Sequence, residues 1–204
     1  MNGLKKSDLQ KVYEERFPKL EQAAKELEKR IKTCLEDVPR IDLICARAKS
    51  IESFVQKATR KPERYTDPLK DIQDQIGVRI VVFYLDDVQY VTEKVLGQFR
   101  HIEDQVIEQP EPERFGYEAR HLICLLPIDI LEEYELPIEF FELQVCTLFQ
   151  HAWAQANHDL GYKAKEEIAE EERKLMAWAA AQAWGADRIF NELWRMRRGN
   201  DTLG

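Results

Sequence analysis

The chain has 204 residues, 44% of them apolar, and a net charge of −8. That length suits one sizeable core with helical extensions, and the acidic balance argues against broad nucleic-acid binding, which needs many phosphate-neutralising cations. No apolar run approaches the ~18 residues of a membrane helix, and the opening MNGLKKSDLQ lacks the apolar stretch of a signal peptide, so the cytoplasm is the expected location.

Residues 7–37 are predicted helical. Ser7 is placed to cap the start, and Pro18 predicts a break or a fresh first turn. Beyond it Leu20, Ala24, Leu27, Ile31 and Leu35 recur on one helical face, ready to pack on a core or a partner subunit. Val38-Pro39 ends the pattern. A second helix is expected over 50–60, with Ser50 as its cap, followed by turn signals in KPERYTDP. IGVRIVVFYL (76–85) is β-branched and apolar on both faces, the signature of a central buried strand. A helix over 86–99 starts at Asp86-Asp87, acids that suit a helix N-terminus. QPEPERFGY (109–117) reads as a loop, ARHLICLLP (119–127) and PIEFFELQV (137–145) as strands, and 147–160 and 166–195 as helices. Leu175, Trp178, Ile189, Phe190 and Leu193 give the last helix an apolar stripe. The order predicts an α+β layered fold with a mixed sheet, organised as an N-terminal helical extension (1–40), a core (41–165) and a C-terminal helical segment (166–204).

Cys34, Cys45, Cys124 and Cys146 show no CxxC spacing, which sets structural zinc aside and leaves reduced thiols in or near the core. An acidic protein that handles nucleotides must gather its cations locally. RAKSIESFVQK does so: Lys49, Ser53 and Lys57 are four apart and line one face if the helix reaches that far, with Arg47 near its start. Two ammonium groups beside a hydroxyl suit a polyphosphate; a solvated charged face is the plainer alternative. In DQIGVR, Asp74 lies at the mouth of the buried strand, where a carboxylate is a natural Mg²⁺ ligand. Arg79 sits within that strand, which is costly unless it is paired or meets a ligand; a structural ion pair with Asp74 is the alternative. Glu142 and Gln144 share one face of an otherwise apolar strand. Glu142 is thus placed to join Asp74 on a metal or to take a proton from a hydroxyl. FGYEARH adds Gly116 for a tight turn, Tyr117 as a surface for base stacking, and His121. His151 and His158 are seven apart, too far to share a metal, and one HD dipeptide does not make a hydrolase.

Taken in order, R-x-K-x3-S-x3-K, D-x2-G-x-R, F-G-Y-x3-H, E-x-Q-x2-T and Q-H-A-W-A-x3-H-D-x-x-Y-K resemble the synthetase domain of the RelA/SpoT family, most of all its small single-domain alarmone synthetases. The resemblance runs from about Arg47 to Lys163. It implies a nucleotidyltransferase-like sheet, Mg²⁺, ATP as donor and GDP or GTP as acceptor, with guanosine tetra- or pentaphosphate as product. It places Arg47 and Arg79 around adenine and Lys49, Ser53 and Lys57 on the ATP phosphates. Asp74 and Glu142 fall on metal or 3′-hydroxyl, supported by Gln144. Tyr117, His121, Arg114, Arg120 and Asn157 fall on the acceptor side. It also implies a homo-oligomer. The chain departs from the pattern at Cys146, where the family has arginine, at Ala119, where it has serine, and at Gln105, where relatives often have lysine. Arg114 or Arg120 is then the compensating cation. Alternation would point residue 146 into the cleft with Glu142 and Gln144, so an arginine there should reach the acceptor. Two other readings remain: a relative that pyrophosphorylates tRNA 3′ ends, and a nucleotide-binding regulator without turnover, against which the intact Asp74 and Glu142 argue.

Overall fold

The computed structural model describes residues 6–60, 64–106, 120–163 and 169–201, with the backbone alone at 104–106, 161–163 and 200–201. In chain order they form α1 (Lys6–Cys34), β1 (Ile41–Ala48), α2 (Ile51–Arg60), α3 (Pro68–Asp71), β2 (Ile76–Val82), α4 (Leu85–Leu96), β3 (His101–Val106), β4 (Arg120–Leu125), α5 (Ile128–Glu133), β5 (Phe140–Thr147), α6 (Leu148–Lys163) and α7 (Glu170–Asp201). The five strands make one sheet in the order β1-β2-β5-β4-β3. β2 and β5 run parallel, and the other neighbours run antiparallel. This is the mixed sheet with flanking helices that the sequence predicts.

Alternation divides the sheet into a core face and a cleft face. Ile76, Val78, Ile80 and Val82 of β2, Phe141, Leu143 and Val145 of β5, and Leu122 and Cys124 of β4 all enter one apolar cluster with residues of α1, α2 and α4. The opposite face carries Gly77, Arg79 and Val81, then Glu142, Gln144 and Cys146, with His121 registered against Gln144.

α1 does not break at Pro18; the helix runs through it. The proline forfeits one intrahelical hydrogen bond, but Tyr13 before it and Leu20, Ala24, Leu27 and Ile31 after it are all buried against the same core, and that packing keeps the two halves in line. Tyr13 stacks on Phe54 of α2, with centroids 3.8 Å apart, and donates from its hydroxyl to the Lys49 carbonyl at 2.8 Å. α1 also covers the sheet edge, where Glu28 accepts from the Ala46 amide of β1 at 2.8 Å.

β1 and β3 are strands the sequence reading lacked. Both are edge strands with charged residues, IDLICARA and HIEDQV, so neither shows a continuous apolar run. β1 changes the placement of the basic cluster. Arg47 belongs to a strand, Lys49 to the connection after it, and only Ser53 and Lys57 to α2, which starts behind Ser50. The Ser50 hydroxyl accepts from the Ser53 amide at 3.2 Å, as a cap should.

The long α7 docks on the far end of the sheet. Arg195 and Asn191 grip Asp86 at the start of α4. Arg40, in the left-handed region at φ 63°, forks onto buried Asp87 and lies 4.3 Å from the Trp194 ring centroid.

Candidate active site

The cleft face of the sheet opens into a cavity of about 590 Å³. Its floor is Cys45, Arg47, Gly77, Arg79, Glu142 and Gln144, its near wall Lys49, Ser53 and Asp74, and its far wall His151, Gln155 and His158 of α6. Nine residues named from the sequence need no repositioning beyond the strand: Arg47, Lys49, Ser53, Asp74, Arg79, Glu142 and Gln144 line the cavity, Lys57 bonds to Asp74, and His121 bonds to Glu142.

Two polar groupings meet there. In the first, Asp74 sits in the short turn before β2, and its Oδ2 takes both Lys49 Nζ and Lys57 Nζ at 2.8 Å. Burial alone would raise its pKa, but the two ammonium groups override this and hold the carboxyl below its usual range. Lys49 is fixed on both sides of its backbone, its amide donating to the Gln75 carbonyl and its carbonyl accepting from Tyr13, each at 2.8 Å. The expected alternative, an Asp74–Arg79 pair, does not form, because the lysines take the carboxylate.

The second grouping is a row across three strands. Arg79 of β2 donates from Nη2 at 2.8 Å and Nε at 3.1 Å to the Gln144 amide oxygen of β5. The Gln144 amide nitrogen donates to Glu142 Oε2 at 2.7 Å, and His121 Nδ1 of β4 lies 2.9 Å from Glu142 Oε1. Burial pushes Glu142 up, and nearby Asp74 adds to that, yet the bonds from His121 and Gln144 bring it below its usual range. An ionised carboxylate only accepts, so Nδ1 of His121 carries the proton. Arg79 Nη1 approaches His151 Nδ1 at 3.5 Å; desolvation first, and then the guanidinium charge, lower the His151 pKa.

A divalent cation fits this site. Asp74 Oδ1 is buried with no hydrogen-bond partner among the described residues, so it keeps lone pairs available to a cation. Glu142 lines the same cavity as Asp74, on the neighbouring strand of the sheet and facing the lysine cradle. No group of three or more His, Cys, Asp or Glu gathers to hold a metal among the described residues. Two carboxylates with phosphates and waters completing the shell suit a hard cation better than an all-protein cage.

Other expectations change. Cys146 shares the face of Glu142 and Gln144, but it is fully buried with Val81 beneath Leu148 of α6, and its thiol points to the Ile80 carbonyl at 3.8 Å. An arginine there would enter a small apolar cluster, not the cleft. Arg120 registers against Val145, so alternation sends it to the opposite face from His121, against a role as compensating cation. Asn157 is half-buried on α6 and is not among the cleft-lining side chains. Tyr117, Arg114 and Ala119, with the expected 109–117 loop, lie outside the described residues, as does the Gln105 side chain. Cys45, Leu43, His151 and Gln155 line the cleft without having been named for it. Reading IDLICARA as an alternating strand would have placed Leu43, Cys45 and Arg47 together.

Residues 46–167 match the model of the region found in RelA and SpoT proteins. The chain belongs to the RelA/SpoT family. It is 31% identical over 187 residues to GTP pyrophosphokinase YjbM of Bacillus subtilis, covering 84% of this chain and 83% of that one. A GTP pyrophosphokinase family protein from Streptococcus pneumoniae superposes with a TM-score of 0.77 at 24% identity, over 95% of this chain and 98% of that one, a likeness of fold. Small alarmone synthetase 1 of Bacillus subtilis, bound to its product pppGpp, superposes with a TM-score of 0.74 at 26% identity, over 91% of this chain and 98% of that one.

Proposed function

We propose that this protein is a GTP pyrophosphokinase of the small alarmone synthetase type: it moves the β,γ-pyrophosphate of ATP to the ribose 3′-hydroxyl of GDP or GTP. The observation that carries this reading is the facing pair of groupings, Asp74 with Lys49 and Lys57 against the Arg79–Gln144–Glu142–His121 row, on one side of one sheet. The similarity to GTP pyrophosphokinase YjbM of Bacillus subtilis supports it.

In this mechanism Arg47 and Arg79 flank the adenine, and Lys49, Ser53 and Lys57 bind the phosphates, which draw the lysines partly away from Asp74. Asp74 Oδ1 and Glu142 are the residues to hold Mg²⁺. Bound there, Mg²⁺ would neutralise phosphate charge and help orient the triphosphate. The acceptor 3′-oxygen bonds to the β-phosphorus as the bond from that phosphorus to the α,β-bridging oxygen breaks, and AMP leaves. Glu142, held ionised by His121 and Gln144, takes the hydroxyl proton. Gln144 keeps both Glu142 and Arg79 in register, so donor and acceptor sides share one rigid strand. Tyr117 supplies the stacking surface for the guanine.

No described helix is long and apolar enough to cross a membrane. ATP and GDP or GTP as substrates support work in the cytoplasm. The α7 stripe emerges on the surface, with Trp178 65% and Ile189 62% exposed, and this supports a homo-oligomer built through the helical segment. Light scattering at micromolar concentration tests that assembly; a monomer mass contradicts it. The activity is tested with γ-labelled ATP, Mg²⁺ and GDP, GTP or deacylated tRNA. Label on GDP or GTP with equal AMP is expected; label on tRNA alone moves the protein to the tRNA-modifying branch, and no AMP with any acceptor refutes catalysis.

A further inference from the structure

β5 runs into α6 without a connecting residue: Thr147 ends the strand and Leu148 begins the helix. The angle at which α6 leaves the sheet is therefore set at Thr147, which is fully buried. Thr147 and Gln150 cap each other. The Thr147 hydroxyl accepts from the Gln150 amide at 3.1 Å, and the Gln150 side-chain oxygen accepts from the Thr147 amide at 2.8 Å. The hydroxyl has one proton to give, and it donates that to Asp187 of α7 at 2.7 Å. Three elements thus meet at one side chain.

Asp187 is a costly residue where it stands. It is buried, and its Oδ1 has no hydrogen-bond partner among the described residues. A buried carboxyl served by one hydroxyl costs free energy that an apolar side chain would not. α7 does not need it for docking, since Asn191 and Arg195 hold Asp86, and Trp194 stacks on Tyr84 and meets Arg40. What the acid does is fix the direction of the Thr147 hydroxyl, and with it the first turn of α6. That turn carries His151, one residue past the cap, whose Nδ1 lies 3.5 Å from Arg79 Nη1. Gln155 and His158 follow at helical spacing and line the far wall of the cleft with it. A tilt at Thr147 moves all three relative to the sheet.

Resting on the pyrophosphokinase reading, we propose that Thr147, oriented by Asp187, is a positioning residue that sets the far wall of the cleft against the Arg79–Gln144–Glu142 row. Buried as it is, Thr147 acts through α6 and not on a substrate. His151 meets Arg79, Arg79 forks onto Gln144, and Gln144 holds Glu142, so the direction of α6 is felt along the row. A wall displaced by about an ångström lets the reactants fall out of line, which slows transfer without abolishing the fold. The Phe149–Phe190 stack and the bond from the Trp153 indole to the Met176 carbonyl still hold α6 on α7 when the hydroxyl is lost.

The test compares Thr147→Val, which keeps the shape and removes the hydroxyl, with Thr147→Ser and the unaltered full-length protein. Melting temperatures are measured first, and AMP release from ATP, Mg²⁺ and GDP is followed well below the lowest of them, so that lost stability alone changes nothing. At saturating substrates Thr147→Val should release AMP about tenfold more slowly, and Thr147→Ser within about twofold of the unaltered rate. The second readout is the His151 ring, titrated by NMR and assigned with His151→Gln. In the unaltered protein desolvation first, and then Arg79, lower its pKa against the opposing pull of Asp42. Thr147→Val should move it up towards the ordinary histidine value, because the first turn of α6 draws away from Arg79. Normal AMP release, or an unmoved His151, in folded Thr147→Val overturns the proposal. Asp187→Leu removes the acceptor and leaves the cap, and should slow release about threefold, while Asp187→Asn should stay within about twofold. Unslowed release from Asp187→Leu overturns the role of Asp187, and it decides the matter if Thr147→Val does not fold. An unaltered protein that releases no AMP defeats the pyrophosphokinase reading, and the His151 titration still judges the positioning.

Discussion

Asp74→Asn separates the two tasks of this carboxylate. In the resting site it is the shared counter-ion of Lys49 and Lys57, 2.8 Å from each. Its other oxygen is buried with no hydrogen-bond partner among the described residues, which leaves it for the proposed Mg²⁺. Replacing the charge with an amide leaves two ammonium groups with no carboxylate between them, so the cradle becomes more positive by one unit. At about 5 Å from a phosphate oxygen and an effective dielectric of about 20, one charge is worth roughly 3 kcal/mol. Lys57 is 38% exposed, so solvent and salt cut this to about 1 kcal/mol, or roughly fivefold in Kd. Without Mg²⁺, the variant should therefore bind an ATP analogue that carries a methylene between its α- and β-phosphates about fivefold more tightly than the unaltered protein does. With Mg²⁺ and GDP, AMP release should fall at least about a hundredfold, the usual cost of losing one group that stabilises charge in a transition state. Calorimetry in EDTA and an AMP-release assay in Mg²⁺ read the two effects apart. Near-normal AMP release from a folded variant would refute the placement of Asp74 in the reaction; weaker analogue binding in EDTA would refute its role as the brake on the lysines.

The buried Asp187 of α7 accepts from the Thr147 hydroxyl at 2.7 Å, and desolvation pushes its pKa from 3.8 up to about 6. A raised folded-state pKa means stability that is present below pH 3.8 and lost as pH rises through about 6. Asp187→Asn keeps an acceptor for Thr147 and removes that loss, so it should stabilise the fold by about 1–2 kcal/mol at pH 8, after allowance for solvent screening, and by little near pH 4. Thermal melts at both values check this, and an equal shift at the two would contradict it. Cys146→Arg should destabilise the protein by at least about 3 kcal/mol, since it forces an unpaired cation under Leu148, and GDP affinity should not improve. A folded variant with tighter GDP binding would show that the position faces the acceptor after all. Tyr13→Phe keeps the stack on Phe54 but loses the bond to the Lys49 carbonyl; a drop of about 1 kcal/mol and a raised ATP KM are expected. An unchanged KM would mean that α1 does not position Lys49.

Much of the frame was legible in the chain itself. IGVRIVV is β-branched and apolar on both faces, so it could only be an interior strand. Ser50 before a periodic run announced α2, and Glu142 and Gln144 had to share a face because strand side chains alternate. The edge strands were harder to read. β1 and β3 each have a neighbour on one side only, so they tolerate charge and lose the apolar pattern that marks a strand. Pro18 misled for a related reason, since a local preference of a few kcal/mol yields to the burial of a whole helical face.

The site itself needed the tertiary structure. Lys57 and Asp74 are 17 residues apart, and Arg79 and Gln144 are 65 apart; only the turn before β2 and the parallel pairing of β2 with β5 bring them within bonding distance. Cys146 marks the boundary between the two kinds of knowledge. A period of two assigns it to the face of Glu142 and Gln144, and it does lie on that face. Alternation says which residues share a surface but carries no information about what lies over that surface. α6 leaves the sheet immediately after Thr147 and folds Leu148 over Cys146 and Val81, so the same face is an open cleft at Glu142 and a sealed core at Cys146, four residues or about 13 Å along the strand.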